Sequence, residues 1–440
     1  MLLKFYCSNF KSIKKEISFS MFSGTYKRHE NHIVDFKERG VLRSSAIYGT
    51  NGSGKTNILL ALQFLTNLIL HGTRDLNEKL NFPVFKLSNC EEYPTKMEID
   101  FIIENKRYNY RIQIKSDIIL LEELYEVKDD NHIVLFKRKK EFNNTKLTIA
   151  PNRKKTQKEK LREEIYAEEL RDNQTFFFEG RNKKISEIDL PYTWFEQNLK
   201  FISIDTKAIG LASTFYIDRE FFESSKKLIR NAKVGISDIK LTEYSLQEMK
   251  SIGFDFPNKE VENDLMDKNN LAIDIYFKGD LYSVFNRDGN VKFIKISTIH
   301  QGTNGNEVEF KYEEESKGVQ RLFFLLPAIY RSIHKSEVFI IDEIETSFHP
   351  VLLKDILKLY FKSQVSNSGQ IIFTTHESHL LDLDLFRQDE IWFCEKDFDG
   401  STKLYSLSEF KPRFDKDIRK GYFEGQFGPI PFLGTKEQLL

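Results

Sequence analysis

Three things are scarce in this chain of 440 residues, and each absence narrows what it can be. Cysteine occurs only as Cys7, Cys90 and Cys394, far apart and with no C-x-x-C pair. That excludes a disulfide framework and a zinc ligand set, and points to buried thiols in a reducing compartment. Net charge is missing as well. Lysine and arginine number 66 against 66 aspartate and glutamate, so the summed field favours neither nucleic acid nor an anionic membrane, and any polyanion site must be local. No apolar run approaches the roughly eighteen residues of a membrane span, and Met1-Leu2-Leu3-Lys4-Phe5-Tyr6 lacks the long apolar stretch of a signal peptide. No membrane association is expected, and a cytoplasmic location follows. Internal repeats are absent too. What remains, 40% hydrophobic and 13% aromatic, is ample for two or three packed domains.

Against this background one string stands out. Gly49-Thr50-Asn51-Gly52-Ser53-Gly54-Lys55-Thr56 follows the apolar Ser45-Ala46-Ile47-Tyr48 and precedes Ile58-Leu59-Leu60-Ala61-Leu62. A polyphosphate needs several backbone N–H groups pointing inward, and glycine lets the chain curl that tightly. Lys55 then reaches the β- and γ-phosphates, Thr56 offers a hydroxyl to Mg²⁺, and the helix that begins there presents its free N–H groups and positive dipole end. Chance strings of this form occur, but a strand before and a helix after point to a nucleoside triphosphate.

Two more apolar runs end in chemistry. Glu337-Val338-Phe339-Ile340-Ile341-Asp342-Glu343 reads as a buried parallel strand delivering two carboxylates, Asp342 for the Mg²⁺ shell and Glu343 to polarise the attacking water. Alone it would equally read as a core strand ending in a charged turn. Far more chain separates Lys55 from Asp342 than a compact phosphate-loop domain needs, so something is inserted. Gln370-Ile371-Ile372-Phe373-Thr374-Thr375-His376 ends in a histidine able to sense the γ-phosphate, although a lone histidine there is more often structural. Glu315-Ser316-Lys317-Gly318-Val319-Gln320-Arg321 opens an apolar helix with a hydroxyl and free N–H groups, which alone is only a helix cap.

Elsewhere, Leu3 to Cys7 reads as a strand with Asn9-Phe10-Lys11-Ser12-Ile13 as its exit turn, and short β-type runs at 97–101, 108–112, 118–125 and 133–136 suggest an antiparallel meander. The charge-dense stretch Glu141 to Gln174 reads as a surface helix or hairpin, with Leu161, Ile165 and Leu170 as a thin apolar stripe. Trp194 to Ile239 looks mostly helical. Pro257 to Asn270 reads as a mobile polar loop, and β signals resume at 273–278 and 291–299.

Taken in order, Asn9-Phe10-Lys11-Ser12, the phosphate loop, Ser316-x-Gly318-x-Gln320, Asp342-Glu343 and His376 resemble the ABC-type ATPase heads of the RecF and SMC class. More narrowly, the chain resembles bacterial RloA-like and abortive-infection AAA ATPases, relatives of the ATPase halves of OLD nucleases and of the AriA subunit of the PARIS antiphage system. The likeness takes in Phe85-Lys86-Leu87, Glu122-Glu123-Leu124-Tyr125, Glu343 through Pro350, and the tail Gly421 through Pro431. It implies an α/β fold, an ABC-type P-loop head whose mixed sheet carries an antiparallel β subdomain and is interrupted by a mostly helical insertion. Residues 1–145 and 271–440 would form the two lobes, and 146–270 the insertion, arm and dimerisation region. The resemblance further implies ATP and Mg²⁺ held by Asn51, Gly52, Ser53, Gly54, Lys55, Thr56 and Asn57 with Lys11, and metal contacts from Thr56 and Asp342. Catalysis would fall to Glu343, His376 and Lys55. Two heads would sandwich two nucleotides, with Ser316 and Gly318 acting on the partner's site in a homodimer or higher even-numbered oligomer. The chain departs from the L-S-G-G-Q form at Glu315, Lys317 and Val319, and Gln113, which follows a strand, is not assigned as a glutamine loop.

For the purpose of such an ATPase, the resemblance favours a sensor or scaffold of an antiphage system controlling a separate Toprim or RloB-like effector nuclease encoded nearby. Asp382-Leu383-Asp384 has the D-x-D spacing of a Toprim nuclease, but too little chain follows His376 for that domain. Arg28-His29-Glu30-Asn31-His32 reads as a polar loop rather than a ribonuclease or metal pair. The alternative is a RecF- or SMC-like DNA-binding ATPase, with DNA meeting Lys137-Arg138-Lys139-Lys140, Arg153-Lys154-Lys155, Lys158 and Lys160, although interleaved glutamates make a solvated face the simpler reading. A regulatory GTPase or small-molecule kinase is a third class, without the N-K-x-D guanine reader.

Overall fold

A computed structural model describes residues 1–428 except 38, 74–77, 81, 130, 143, 205–209, 268–271, 288 and 364–368, so the Pro429-Ile430-Pro431 end of the tail motif lies outside the described residues. Contacts gather into two units. One is Met1–Ser203 with Ser332–Glu345 and Ile356–Leu440, the other Ile204–Arg331 with Thr346–Asp355.

In the first unit, strand Ser44–Tyr48 lies between Gln370–Thr375 and Ile391–Lys396. Beyond Gln370–Thr375 come Val338–Ile341 and then Leu199–Ile202, all parallel, and Thr402–Ser406 closes the other edge antiparallel. Ser44–Tyr48, Val338–Ile341 and Gln370–Thr375 are buried at every position, which is why each reads as an unbroken rather than alternating run. Parallel alignment makes their carboxyl ends leave the sheet on one edge, where ligands bind in open α/β sheets. Gly49, Asp342 and His376 each follow one of those ends.

The meander is present as a seven-stranded antiparallel sheet ordered Asn144–Ile149, Asn131–Glu141, Ile118–Lys128, Lys106–Lys115, Thr95–Ile103, Leu2–Ser8 and Ile17–Ser20. Its buried face shares one core with helix Lys55–His71, which contributes Ile58, Leu62, Leu65 and Ile69 at helical spacing. Trp194 is fully buried and stacks on Phe101 with ring centroids 4.4 Å apart. Truncating such a side chain to alanine typically costs about 3–5 kcal/mol. Of the Glu141–Gln174 stretch, the first part completes a hairpin and the rest forms helix Gln157–Glu169, started by a capping box between Thr156 and Glu159, with Leu161 and Ile165 left exposed.

The second unit holds a five-stranded antiparallel sheet in which Asn290–Gln301 pairs with Ile236–Ser245, Asp280–Arg287 and Glu307–Lys311, and Asp280–Arg287 pairs with Ala272–Phe277. Met249, Phe254, Phe256, Leu265 and Phe293 lie in its core. One expectation is corrected here. The supposed mobile loop of 257–270 contains helix Lys259–Asp267. Asn258 Oδ1 accepts the Val261 N–H at 2.8 Å as a cap, and Val261 and Leu265, one turn apart, join the core. Of the three apolar residues among these nine, only Val261 and Leu265 join the core, too thin a stripe to be read against so many charges. The stretch 194–239, expected to be mostly helical, also supplies the edge strand Leu199–Ile202, only four residues long, and the start of Ile236–Ser245. Among the described residues no helix is long and apolar enough to cross a membrane.

Candidate active site

The loop after strand Ser44–Tyr48 is shaped by its glycines. Gly52 has φ +78° and Gly54, which caps helix Lys55–His71, has φ +108°. A Cβ on Gly49 would sit 2.4 Å from the Cys394 carbonyl oxygen, and one on Gly54 2.1 Å from Thr402 Oγ1. Lys55 is 5% exposed, and its Nζ donates to the carbonyls of Gly49 at 2.7 Å and Thr50 at 3.1 Å. Burial holds this ammonium below the ordinary lysine range, against the opposing pull of Glu343, Glu345 and Asp342 nearby. The result is a nearly buried cation resting on two carbonyls, with no carboxylate in ion-pair contact among the described residues.

Asp342 meets this loop across 286 residues of sequence. Its carboxylate, 8% exposed, accepts from Thr56 Oγ1 at 3.0 Å and from Thr374 Oγ1 at 2.5 Å. Thr374 Oγ1 also accepts the Glu343 N–H at 2.8 Å, and the Thr374 carbonyl accepts Ile344 N–H at 3.1 Å. Glu343 needs this support because its φ is +45°, a left-handed conformation that costs a non-glycine residue about 1–2 kcal/mol. Strain at this point turns the chain sharply out of the acidic strand.

The histidine has a partner that sequence reading missed. Glu345, 8% exposed, accepts the His376 backbone N–H at 2.6 Å, and the same Oε1 lies 2.7 Å from His376 Nδ1. An ionised carboxylate can only accept, so Nδ1 carries the proton and Nε2 is the free nitrogen of a ring that is about half exposed. Glu345 could have been suspected only as a second acid two residues beyond Glu343.

The amino-terminal turn backs the loop from behind. Asn57 Nδ2 donates to Ser12 Oγ at 2.7 Å, Ser12 Oγ pairs with Thr402 Oγ1 at 2.7 Å, and Thr402 Oγ1 donates to the Ser53 carbonyl at 3.0 Å. Lys11, expected among the nucleotide contacts, has φ +48° and a backbone N–H bonded to the Pro83 carbonyl at 2.6 Å. Asn9 pins the same turn through Cys90, Tyr93 and Phe85. Ser12 enters the sequence reading only as part of the Asn9–Ser12 turn and Thr402 not at all, because hydroxyls are common and their register is set by the fold.

Ser316 and Gly318 belong to the second unit. Ser316 is exposed, and its Oγ accepts Val319 N–H at 3.3 Å at the start of helix Lys317–His334. A Cβ on Gly318 would lie 2.7 Å from the Ser347 carbonyl oxygen. Glu315, the departure from the leucine of the signature, is buried and accepts from Thr298 Oγ1 and from His300 Nε2, the latter at 2.7 Å, and Gln320 Nε2 donates to the Glu315 carbonyl at 2.9 Å.

Other candidates resolve into structure. His32 is buried, stacked on Phe361 at 3.7 Å and bonded to the buried Glu390 at 2.9 Å, while Asp384 is an exposed partner of Arg28. Among the described residues no group of three or more His, Cys, Asp or Glu side chains is set to hold a metal, and all three cysteines are free and buried. The basic segment is largely matched by acids. Lys137 pairs with Glu123, Lys139 with Glu141, Lys140 with Asp172, Arg153 with Glu159 and Lys155 with Glu163. Arg138 is fully buried beside Glu122, with its Nη1 donating to the Gln174 carbonyl at 2.5 Å. Gln113 lies within strand Lys106–Lys115.

Residues 44–382, well over half of the chain, match the family described as "AAA domain, putative AbiEii toxin, Type IV TA system". No curated protein matches. Among solved structures, the SMC head domain from Thermotoga maritima is similar with TM-score 0.39 and 12% identity over 92% of this chain and 98% of that one. An SmcHead bound to the C-winged helix domain of ScpA gives 0.42 and 14% over 93% and 99%. A Pyrococcus furiosus Smc head with an extended coiled coil, bound to the C-terminal domain of ScpA, gives 0.37 and 13% over 93% and 97%.

Proposed function

We propose, from the premise that the chain belongs to this AAA-domain family, that it is a Mg²⁺-dependent ATPase whose turnover sets the state of an antiphage, abortive-infection assembly with a separate effector nuclease. The observation that carries the ATPase reading is the hydrogen-bonded chain Thr56–Asp342–Thr374–Glu343, which joins the phosphate loop to the acidic strand. A threonine hydroxyl and an aspartate carboxylate side by side are the hard oxygen donors that Mg²⁺ takes from a protein, the rest coming from phosphate and water. The metal, when bound, would neutralise charge on the phosphate oxygens.

The chain's own groups have separable tasks. Lys55 would leave its two carbonyls for the terminal phosphates, since a charged acceptor outcompetes a neutral one. Glu343 would orient the attacking water and take its proton, a role worth about 10²–10⁴ in rate. His376, its ring fixed by Glu345, would donate from Nε2 to the γ-phosphate as the imidazolium, in which both ring nitrogens carry protons. Ser316 and Gly318, on an exposed helix start, would complete the site of a second copy. Closing and opening of that dimer would couple ATP to the effector. The family's description, "putative AbiEii toxin, Type IV TA system", supports a toxin–antitoxin setting, and an effector encoded beside the gene would support the antiphage reading.

Glu343→Gln tests the mechanism. The variant should keep ATP binding by titration calorimetry, lose turnover at least about a hundredfold, and sediment as a dimer with Mg·ATP. Turnover at the parental rate would remove Glu343 from the reaction, and a monomer under all conditions would remove the action of Ser316 and Gly318 on a partner.

A further inference from the structure

Three cations converge on one aromatic ring in the first unit. Lys4 Nζ lies 5.7 Å from the centroid of Phe22, the Arg39 guanidinium 5.7 Å and the Arg107 guanidinium 5.8 Å. Lys4 also lies 5.9 Å from the Tyr6 ring. Phe22 and Arg39 line a surface cleft of about 590 Å³ together with Phe36, Lys37, Arg107 and His132. Like charges gathered this closely repel one another unless an anion joins them.

The acids that face the cleft are few. Asp100 is buried and committed to Arg107 at 2.6 Å and to Asn109, and Asp129 is an exposed partner of Lys37 at 3.4 Å. Lys4 and Arg39 have no carboxylate partner among the described residues, and the buried Arg107 Nε has no hydrogen-bond acceptor. Phe22 is held by its bridge to Val41, and Ser23 N–H bonds the Gly40 carbonyl, so the ring is fixed by backbone pairing rather than by the cations. The whole chain is neutral, which makes such a concentration of positive charge local.

We propose that this cleft binds a single strand of nucleic acid, with Arg39 and Arg107 in the cleft and Lys4 beside it on successive phosphates and a base stacked on Phe22. An aromatic platform inside a cationic groove is the arrangement that suits an unpaired strand, because a base inside a duplex has no free face to offer. The cleft is also placed to communicate with the nucleotide. Hairpin Ile33–Phe36 with Arg39–Leu42 runs through Arg43 directly into strand Ser44–Tyr48, whose other end, about 17 Å away at 3.3 Å per residue, is the phosphate loop.

Fluorescence anisotropy with labelled 12-nucleotide oligo(dT) and oligo(U), a duplex of the same length, and inorganic polyphosphate tests this. Binding of the single strands at 50 mM salt is expected, with log K falling against log salt with a slope of about −2, from roughly 0.7 per phosphate contact over three contacts. Arg39→Ala should lower that slope by about 0.7, and Lys4→Glu with Arg39→Glu should abolish binding while thermal melting is unchanged. Phe22→Leu, which keeps an apolar side chain in place, should weaken oligonucleotides about tenfold or more and leave polyphosphate unaffected. Absent binding at 50 mM salt, tighter binding of the duplex, polyphosphate bound as well as the oligonucleotides, or full binding by the charge-reversed variant would each overturn the proposal.

Discussion

Replacing Thr374 by valine changes one hydroxyl to a methyl group at the junction of the two strands that carry the acidic pair and the histidine. That hydroxyl donates to the Asp342 carboxylate at 2.5 Å and accepts the Glu343 N–H at 2.8 Å. A hydrogen bond to a charged group is worth about 1.5–3 kcal/mol, and a buried N–H left without an acceptor costs about 1–3 kcal/mol. The added methyl returns about 0.8 kcal/mol of apolar burial. Asp342 keeps its contact with Thr56, so the loss falls near the lower end, about 2 kcal/mol. It bears on Glu343 more than on Asp342, because its left-handed backbone loses its anchor. Thr374→Val should therefore melt roughly 4 °C lower at about 2 °C per kcal/mol, bind Mg·ATP more weakly and turn over about thirtyfold more slowly. Thr374→Ser retains the hydroxyl and should stay close to wild type in turnover. Circular-dichroism melts, titration of a fluorescent ATP analogue against Mg²⁺ and phosphate release check this. If the serine variant loses as much turnover as the valine variant, the methyl group and not the hydroxyl is what matters, and the reasoning fails.

Three further outcomes follow from the same geometry. Glu345→Gln, which can no longer fix the Nδ1 proton of His376 by charge, should lower kcat about tenfold with KM for ATP nearly unchanged; an effect on KM alone would make the pair a binding rather than a positioning device. Phosphate binding favours the charged form of Lys55, whose burial in the free protein disfavours it, so nucleotide binding should take up protons and weaken as alkaline pH deprotonates the free lysine. Calorimetry in buffers of differing ionisation enthalpy reads that uptake, which Lys55→Arg should abolish. Burial pushes the Cys394 thiol up to about 11 and raises Cys7 further still, so neither should react with a thiol reagent at neutral pH until denaturant is added. Prompt reaction of either in the folded protein would place it elsewhere than beneath the sheet.

The legible part of this chain is what local chemistry dictates. The phosphate loop needs glycines at fixed offsets, and buried parallel strands have to be apolar throughout, so the strands through Ala46, Ile340 and Ile372 and the loop between them can be read from the residues alone. The antiparallel meander declares itself through short β-type runs. What stays hidden is set by register and by contacts between distant segments. Glu345 is an ordinary acid until the fold brings it to His376, and Ser12 and Thr402 are ordinary hydroxyls until they meet under Ser53. The helix Lys259–Asp267 escapes a reading by pattern because its stability comes from Val261 and Leu265 packing on a separate sheet, not from its own propensity.

That division has a consequence for how the site is built. The residues readable from sequence, Lys55, Thr56, Asp342 and Glu343, are those that would meet phosphate, metal or water. The residues that are not, Thr374, Glu345, Ser12 and Thr402, hold them in place through hydrogen bonds of 2.5–3.0 Å. Nearly all the holding groups are hydroxyls or backbone amides, which carry no net charge and so leave the field of Lys55, Asp342 and Glu343 undisturbed. Glu345 is the exception. Its carboxylate adds a third negative charge near Lys55, which makes the free site a better trap for the metal and a poorer one for bare nucleotide. ATP without Mg²⁺ should accordingly bind more weakly than Mg·ATP, and Glu345→Gln should narrow that difference even though Glu345 is held by His376 rather than by either ligand.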